Sequence, residues 1–373
     1  MPSKKISNFN FSNNNPKILS LFSGCGGLDL GFHQAGYETV WANDFSHWAC
    51  ESFRKNIGDV IVEGDIEQID PNDPTIPDCD IILGGFPCQD FSMIWKQPGL
   101  EGERGNLYKS FLRFVNAKKP KVFVAENVKG LLTANKKKAI QQIITDFENC
   151  GYYVQAKLYN FAEFGVPQFR ERVLIVGVRL DTGFDFHHPE PTHNETGENG
   201  LKPYVTAGQA ISNIPQNASN NELLKISNKT RSMLELIPEG GNFTDIPKDH
   251  PLYVKGMISH VYRRMHRDEP SKTIIAAGGG GTWGYHFPEP RAFTNRERAR
   301  LQSFPDDFEF VGSTTEVRRQ IGNAVPPQGV VELAKTILPI FSDNYEKIDL
   351  HEKLVAEKEI LFHDRLSKIR GGK

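Results

Sequence analysis

The sequence predicts a doubly wound α/β domain with a mostly parallel sheet, together with a smaller, loop-rich domain. Short apolar runs alternate with helical patterns over 17–178, and strands separated by helices form right-handed crossovers in a sheet that is covered on both faces. A glycine-rich loop follows the first apolar run, and acidic residues follow two later runs. In such folds, ligands bind where the carboxyl ends of the strands meet.

The individual elements are predicted from these patterns in chain order. We predict strands at 18–22, 39–42, 60–62, 80–83, 122–125 and 173–178. We predict helices at 28–35 and 46–56, within 136–150, and at 330–341. The last of these is an apolar helix that returns to the first domain. Lysine and glutamate at close spacing in the tail are typical of a solvated helix.

Composition changes mark the domain boundaries. Around 181–200 the sequence shifts to His, Pro, Asn, Glu and Gly, and many Pro and Gly residues interrupt the chain from there to about 290. An Asn/Ser-rich start offers almost nothing to bury and is expected to be disordered. We predict a disordered tail at 1–16, a main domain at 17–184 plus 320–343, a second domain at 185–290, a connecting region at 291–319 and a charged C-terminal helix at 344–373.

Length and composition exclude several classes of protein. The 373 residues exceed the roughly 250–300 at which single cores stop growing, which favours two domains. A mean hydropathy of -0.44 and the absence of an apolar run near the roughly 20 residues that a bilayer requires exclude a membrane span. The first residues lack the apolar stretch of a secretory signal, so we expect a cytoplasmic protein that does not bind membranes.

Cysteine spacing and net charge narrow the possibilities further. The five cysteines are an odd number and include no C-x-x-C pair, so we expect neither a disulfide scaffold nor a bound metal. The net charge is only -2, so any site for nucleic acid must be local.

The glycine-rich loop lies in LFSGCGGLDLGF, at 21–32. A strand that leads through Gly24, Gly26 and Gly27 into a helix brings the backbone close to a ligand. The dinucleotide fingerprint requires glycine where Asp29 stands, so an uncharged or zwitterionic nucleoside cofactor is favoured over a pyrophosphate. We interpret Cys25 as packing within this loop. The alternative is a tight turn without a ligand.

Two acidic residues support the cofactor interpretation. Asp44 follows the second predicted strand about twenty residues after the glycine loop, and Asp65 follows the third. In related folds, a carboxylate at the position of Asp44 accepts hydrogen bonds from the ribose hydroxyls. The alternative is that both are surface or helix-capping aspartates.

A candidate nucleophile lies in DIILGGFPCQDFSMI, at 80–94. A buried strand ends in two glycines, and Pro87 fixes the backbone immediately before Cys88. A cysteine thiolate attacks an electron-poor ring carbon near neutral pH. We interpret Cys50, Cys79 and Cys150 as inert small apolar residues.

Two further motifs carry charged residues at strand ends. Glu126 ends the strand in VFVAENVKG and could act as a general acid; the alternative is a structural role in the turn. In QFRERVLIVGV, the period of two places Gln168, Arg170 and Arg172 on one side of a strand. Two guanidinium groups there suit a phosphate or a carbonyl oxygen, although ordinary exposed arginines remain the alternative.

A local basic stretch in the second domain suits contact with phosphates. The alternative is a solvated charged loop. Its members are Lys255, His260, Arg263, Arg264, His266, Arg267 and Lys272, and we select Arg263, Arg264, Arg267 and Lys272 as the candidates for contact with a nucleic-acid backbone.

Taken together, the motifs resemble one family. FSGCGGL, GGFPCQDFS, ENV, QFRER, EPRAFTNRERARLQSFPDDF and QIGNAVPP occur in the order and form of the DNA (cytosine-5)-methyltransferases, over 17–340. The resemblance implies a Rossmann-like fold that binds S-adenosylmethionine, with S-adenosylhomocysteine as product. It also implies that the second domain recognises the target and that a cytosine is flipped out of duplex DNA and methylated at carbon 5.

The resemblance assigns roles by motif position. Cys88 matches the nucleophile that adds to ring carbon 6, and Glu126 matches the acid that contacts N3 and the exocyclic amine. Arg172 matches a residue that steadies the base, and Arg170 matches a phosphate contact. The cofactor positions are Phe22, Ser23, Gly24, Gly26, Gly27, Leu28, Asp44, Phe45, Asp65, Ile66, Pro87, Leu107 and Asn323. Asp44 departs from the more usual glutamate and reaches less far toward a ribose.

We therefore expect a monomeric bacterial restriction–modification methylase that acts on duplex DNA, with any cognate endonuclease acting separately. One alternative is the tRNA-modifying branch of the family, which differs after the Pro-Cys pair and has a smaller target domain. Another is a catalytically silent DNA-binding regulator. It is disfavoured because every motif position is filled and the 16-residue tail is too short for a helix-turn-helix.

Overall fold

The computed structural model describes residues 15–87, 107–256, 261–276, 284–342, 345–359 and Ile369, without the side chains of Lys136 and Glu359. The strands in these ranges are β1 (Lys17–Leu21), β2 (Glu38–Asp44), β3 (Ile61–Glu63), β4 (Ile81–Gly84), β5 (Val122–Val128), β6 (Tyr152–Asn160), β7 (Gln168–Phe169), β8 (Glu171–Arg179), β9 (His193–Asn194), β10 (Lys202–Pro203) and β11 (Ser271–Lys272). The helices are α1 (Gly27–Gln34), α2 (His47–Asn56), α3 (Leu107–Lys118), α4 (Lys138–Asn149), α5 (Ala207–Ile211), α6 (Asn228–Leu236), α7 (Asn295–Leu301), α8 (Thr314–Asn323), α9 (Pro327–Ile337) and α10 (Leu350–Glu359).

A seven-stranded sheet organises the main part of the chain. Its strand order is β3-β2-β1-β4-β5-β8-β6. Neighbours from β3 to β5 are parallel, whereas β8 runs antiparallel to both β5 and β6. The parallel strands therefore end at one common edge, called here the carboxyl edge.

The central strands are apolar throughout because both faces of the sheet are covered. On one face, Phe111 of α3 and Phe147 of α4 pack against Phe123 of β5. On the other face, Phe32 of α1 and Val330 of α9 belong to a second buried cluster. Helix α9 thus covers the sheet beside α1, although the two helices are far apart in the chain.

The chain between β8 and α7 forms few and short regular elements. Strands β9 and β10 pair with each other, and β11 pairs with β7 at the border of the main sheet. A small apolar cluster that includes Leu234, Phe243 and Tyr285 stabilises this part. The domain boundaries that we derived from composition remain predictions, and most of the tail predicted at 1–16 lies outside the described residues.

Several features differ from the sequence-based expectations. Strand β6 and helix α3 of the main sheet region were not predicted, and neither were the helices α5 to α8. The C-terminal helix was expected to be solvated, but Leu350 and Leu354 of α10 are buried in the core beneath the sheet. No helix in the described part of the chain is apolar over a length that could cross a bilayer.

Candidate active site

The glycine-rich loop is fastened to the end of the neighbouring strand. Gly24 has a positive φ of 55°, which an L side chain rarely adopts, and its amide donates a hydrogen bond of 2.8 Å to Oδ2 of Asp44. The hydroxyl of Ser23 donates to the carbonyl of Ser20 at 2.9 Å. Apart from residues 23–25 themselves, no described atom lies within 4 Å of the position that a Cβ on Gly24 would occupy. The loop is therefore rigid on one side and open on the other.

Asp44 is a structural partner of this loop as well as a candidate for cofactor binding. Its second oxygen accepts a hydrogen bond of 2.9 Å from the amide of Ser46, so each carboxylate oxygen already holds one backbone amide. Burial raises the pKa of Asp44, and the backbone hydrogen bonds act in the opposite direction. Each oxygen keeps a second lone pair for a further donor.

The other cofactor candidates lie around the carboxyl edge with different exposures. Phe45 directly follows β2, and 78% of it is exposed, which is unusual for a phenylalanine. Asp65 is exposed and accepts a hydrogen bond from the amide of Glu67, whereas its neighbour Ile66 is buried. Pro87 and Asn323 are exposed, Phe22 and Leu107 are partly buried against the core, and Gly26, Gly27 and Leu28 form the start of α1.

Glu126 and Arg172 form an ion pair at the carboxyl edge. Nε of Arg172 lies 2.8 Å from Oε1 of Glu126, and the two side chains are only 14% and 12% exposed. They come from the antiparallel neighbours β8 and β5. A charged pair with this little solvent has a fixed geometry, which a group that contacts a substrate requires.

The segment that precedes Cys88 lies against this ion pair. Oε2 of Glu126 is 3.1 Å from the position that a Cβ on Gly85 would occupy. The side-chain amide of Asn127 donates a hydrogen bond of 2.9 Å to the carbonyl of Phe86. Pro87 is the last described residue of this segment, and Cys88 lies outside the described residues.

The interpretation of Arg170 as a phosphate contact is wrong. Its side chain is buried, and its guanidinium donates hydrogen bonds of 3.0, 3.0 and 3.1 Å to the carbonyls of Ile274, Gly322 and Ala324. Burial lowers its pKa to about 9, so it stays cationic at pH 7. The predicted single strand through Gln168, Arg170 and Arg172 is also interrupted, because β7 ends at Phe169 and β8 begins at Glu171.

The predicted DNA-binding arginines have different surroundings. Arg264 is partly buried, and its guanidinium donates to the carbonyls of Leu234, Ile237, His286 and Phe287, so four of its five N–H groups are already engaged within the fold. Arg267 is exposed but forms a bidentate ion pair with Glu239 at 2.9 and 3.0 Å. Lys272 is exposed, 3.6 Å from Glu269, and Arg263 is partly buried. His260 and 277–283 lie outside the described residues.

A buried polar network that we did not predict supports the glycine-rich loop from below. Asp29 accepts hydrogen bonds of 2.9 Å from the hydroxyls of Ser20 and Thr39. His33 contacts the Thr39 hydroxyl at 2.9 Å. Burial raises the pKa of Asp29 to about 6 and lowers that of His33 to about 4. The sequence does contain a signal for this network, because Asp29 and His33 are polar residues four positions apart in a helix whose other residues are mostly apolar.

The cysteines with described structure are poor nucleophiles. Burial raises the pKa of Cys25, Cys50 and Cys79 to about 12 and also raises that of Cys150. A thiol with a raised pKa contains little thiolate at pH 7. Cys25 packs with Leu30 and Ile321 beneath the loop.

Comparison with known proteins identifies the family. A model of the C-5 cytosine-specific DNA methylase family matches residues 16–339. The chain belongs to that family. The methylase is 95% identical over 373 residues to the Type II methyltransferase M.NgoFVII of Neisseria gonorrhoeae, with both chains fully covered. It is 44% identical over 345 residues to the Type II methyltransferase M.BbvI of Brevibacillus brevis, which covers 86% of this chain and 90% of that one.

Solved structures support the fold. The methylase superposes on the Dnmt2 methyltransferase of S. pombe with a TM-score of 0.63 and 20% sequence identity, covering 88% of this chain and 100% of that one. The predicted α/β fold class and the resemblance drawn from the motifs are both confirmed. The protein is a DNA (cytosine-5)-methyltransferase, and DNA is its substrate.

Proposed function

We propose that the methylase transfers a methyl group from S-adenosylmethionine to carbon 5 of a cytosine flipped out of duplex DNA, through a transient covalent bond to Cys88. The observation that carries this proposal is the Glu126–Arg172 ion pair lying against Gly85, three residues before Cys88. A nucleophile and a positioned carboxyl group at the same edge are what addition to a pyrimidine ring requires.

The residues around the glycine-rich loop suit a nucleoside cofactor that carries a positive charge. The space beside Gly24 admits a ligand that a Cβ would exclude. Asp44 and Asp65 would accept hydrogen bonds from ribose hydroxyls and an amine, and the exposed ring of Phe45 would stack on a base. When bound, S-adenosylmethionine supplies the methyl group as an electrophilic sulfonium and leaves as S-adenosylhomocysteine.

The chain's own residues would carry the chemistry on the cytosine. The Cys88 thiolate adds to ring carbon 6, so carbon 5 becomes nucleophilic and takes the methyl group. A water molecule or hydroxide then removes the proton from carbon 5, and the electrons of that C–H bond re-form the double bond to carbon 6 as the bond to Cys88 breaks. Glu126 holds N3 and the exocyclic amine, so electrons can move into the ring. Arg172 fixes the orientation of Glu126 through their 2.8 Å contact. Flipping costs a few kcal/mol of stacking and pairing, which contacts in the pocket must offset.

We further propose that the methylase is the modification enzyme of a type II restriction system in the cytoplasm. Its 95% and 44% identical relatives both bear the name Type II methyltransferase. Such an enzyme methylates a short duplex sequence as a monomer, and its cognate endonuclease acts separately. Bisulfite sequencing of plasmid DNA after expression in a host that lacks cytosine-5 methylation would map that sequence.

A transfer assay tests the substrate and the nucleophile together. Purified methylase receives labelled S-adenosylmethionine with duplex plasmid DNA or with tRNA, and we expect label only in DNA. Cys88→Ser should remove transfer while keeping duplex binding. Cys150→Ser, which changes a cysteine at the opposite end of the sheet, should leave transfer intact. Label only in tRNA, or full transfer by Cys88→Ser, would contradict the proposal.

A further inference from the structure

Three buried polar side chains join segments that are far apart in the sequence. Gln168, Arg170 and Gln302 are 0%, 1% and 0% exposed, and the proposed chemistry uses none of them. They lie between two segments: the cofactor turn, defined as 321–324, and the target segment, defined as 271–276. The cofactor turn carries Asn323, and the target segment begins with β11 and contains Lys272.

The two glutamines form a continuous relay between these segments. Oε1 of Gln168 accepts a hydrogen bond of 2.9 Å from the amide of Ile274. Its Nε2 donates to Oε1 of Gln302 at 3.0 Å. Nε2 of Gln302 then donates to the carbonyl of Ile321 at 2.6 Å. Each bond fixes the orientation of the next amide, so a shift at one end changes the geometry at the other.

Arg170 connects the same two segments independently. It donates to the carbonyl of Ile274 in the target segment and to those of Gly322 and Ala324 in the cofactor turn. The last carbonyls of a helix have no partner within the helix, and a cation at that end is favourable. Gln302 and Arg170 therefore supply the hydrogen bonds that end α8 and orient the turn after it.

The backbones of the two segments also touch directly. A Cβ on Gly322 would overlap the backbone of Ile275 and Ala276. Glycine is needed here for close approach rather than for an unusual φ. Movement of the target segment therefore changes the space available to the turn that presents Asn323.

We propose that Gln302 is a positioning residue that couples the cofactor turn to the target segment, so that occupation of the cofactor site strengthens the binding of duplex DNA. The inference rests on the proposed function, because it takes S-adenosylmethionine as the cofactor and places DNA against the second domain. A ligand that orders the turn also orders the target segment through the relay, and the segment then loses less conformational entropy when DNA binds. The coupling must be reciprocal.

The experiment measures this coupling as a ratio of affinities. Fluorescence anisotropy gives the Kd for a duplex that carries the mapped methylation site, with and without saturating S-adenosylhomocysteine. In the wild type we expect S-adenosylhomocysteine to lower this Kd by about 5- to 150-fold, the usual range for coupled sites. Gln302→Met keeps the shape of the side chain but removes both ends of its link, whereas Arg170 and the contact at Gly322 remain. We therefore expect the ratio to fall by at least about 3-fold, the effect of losing one buried hydrogen bond.

A matched control separates coupling from general destabilisation. Gln320 is also buried, on the same helix that ends in the cofactor turn. Its side-chain amide donates to the carbonyl of Val311 at 2.8 Å and accepts from the hydroxyl of Ser52 at 2.6 Å. Gln320→Met should lower Tm by a similar amount but keep the wild-type ratio, because these two partners lie outside the target segment. Gln168→Met breaks the relay from the other side and tests the inference if Gln302→Met does not fold.

The outcomes distinguish this inference from the proposed function. A wild type that binds neither S-adenosylhomocysteine nor the duplex refutes the proposed function. A wild type that binds both without coupling overturns the inference, as does a folded Gln302→Met or Gln168→Met that keeps the wild-type ratio. An equal loss of the ratio in Gln320→Met also overturns it.

Discussion

Glu126 and Arg172, which lie on neighbouring antiparallel strands, meet with 2.8 Å between Oε1 and Nε at the edge where the parallel strands end. A second ion pair lies beside the same two strands, in which Nζ of Lys129 is 2.8 Å from Glu171. The first pair is 14% and 12% exposed and the second is 58% and 43% exposed. Both ion pairs therefore lie beside strands β5 and β8, but the first pair is largely shielded from solvent and the second is exposed to it.

This difference yields a prediction about Arg172. Arg172→Gln should lower kcat by on the order of 100-fold, because the carboxyl group of Glu126 loses its fixed orientation. It should also lower the free energy of unfolding by about 2 kcal/mol, the usual effect of losing a hydrogen bond to a charged group. Lys129→Gln is the control and should change stability by less than about 1 kcal/mol. Single-turnover methylation and urea unfolding provide the measurements, and equal kinetic effects of both variants would contradict the prediction.

A pair of glycines tests the cofactor site. Gly24 and Gly36 both have positive φ, at 55° and 98°, and both have open space where a Cβ would lie. Alanine at either position should cost about 1–2 kcal/mol of stability through backbone strain. Only Gly24→Ala should raise the Kd for S-adenosylhomocysteine, by at least about 10-fold, or about 1.4 kcal/mol. Isothermal titration calorimetry checks this, and unchanged affinity in Gly24→Ala would place the cofactor elsewhere.

Asp29 predicts a pH-dependent difference in stability. In the folded protein the pKa of Asp29 is raised to about 6, so the folded state binds a proton at this carboxyl group more tightly than the unfolded state does. This proton stabilises the folded wild type at low pH, and the stabilisation is lost as the pH rises to about 6. An asparagine side chain cannot ionise, so the unfolding free energy of Asp29→Asn relative to the wild type should increase between about pH 4 and 6, by up to about 3 kcal/mol. His33, with its pKa lowered to about 4, acts in the opposite direction in both proteins and cancels in the difference. Urea unfolding at several pH values measures it, and a flat difference would show that Asp29 is not buried as described.

The hydrogen bond of Asn127 leads to a prediction about the segment that precedes Cys88. Asn127→Ala leaves the carbonyl of Phe86 without the 2.9 Å hydrogen bond that fixes this segment beside Glu126. We expect adduct formation to slow by on the order of 10-fold, equivalent to losing one buried hydrogen bond, with little change in duplex affinity. The rate of adduct formation can be measured with a duplex that carries 5-fluorocytosine at the target position. Fluorine at carbon 5 cannot leave as a proton does, so the covalent adduct with Cys88 accumulates.

A matched asparagine provides the control for this variant. Asn56 donates a hydrogen bond of 2.8 Å to the carbonyl of Glu309, on a part of the fold remote from the Phe86 segment. Asn56→Ala should form the adduct at the wild-type rate. If both variants slow equally, the effect arises from general loss of stability.

The sequence was sufficient for the elements whose residues are uniformly buried. The residues of β4 and most of β5 are buried and apolar, so their runs predicted strands correctly. In β6, partly exposed Gln155 and Lys157 interrupt the apolar pattern because the strand lies at the sheet's edge, and it was not predicted. Helix α3 was also missed, although Tyr108, Phe111 and Phe114 recur every three residues in its buried face.

The site was predictable where a motif carries its own local geometry, as in the glycine-rich loop. It was not predictable where a side chain binds distant backbone. The guanidinium of Arg170 meets carbonyls 104 and 152 positions away, and a carbonyl exists at every residue, so no side-chain pattern marks its partners. Gln302 was missed for the same reason.

The hydrogen bonds at Ile274 engage its amide and its carbonyl, not its side chain. These two hydrogen bonds do not depend on which side chain stands at 274, provided that the residue is not proline. The side chain of Ile274 is itself buried in an apolar cluster, so the position requires an apolar residue. A change of sequence elsewhere in the predicted target domain would therefore leave the hydrogen bonds from Gln168 and Arg170 to Ile274 in place. The anchor between the two segments is thus independent of the side chains that differ from one such enzyme to another.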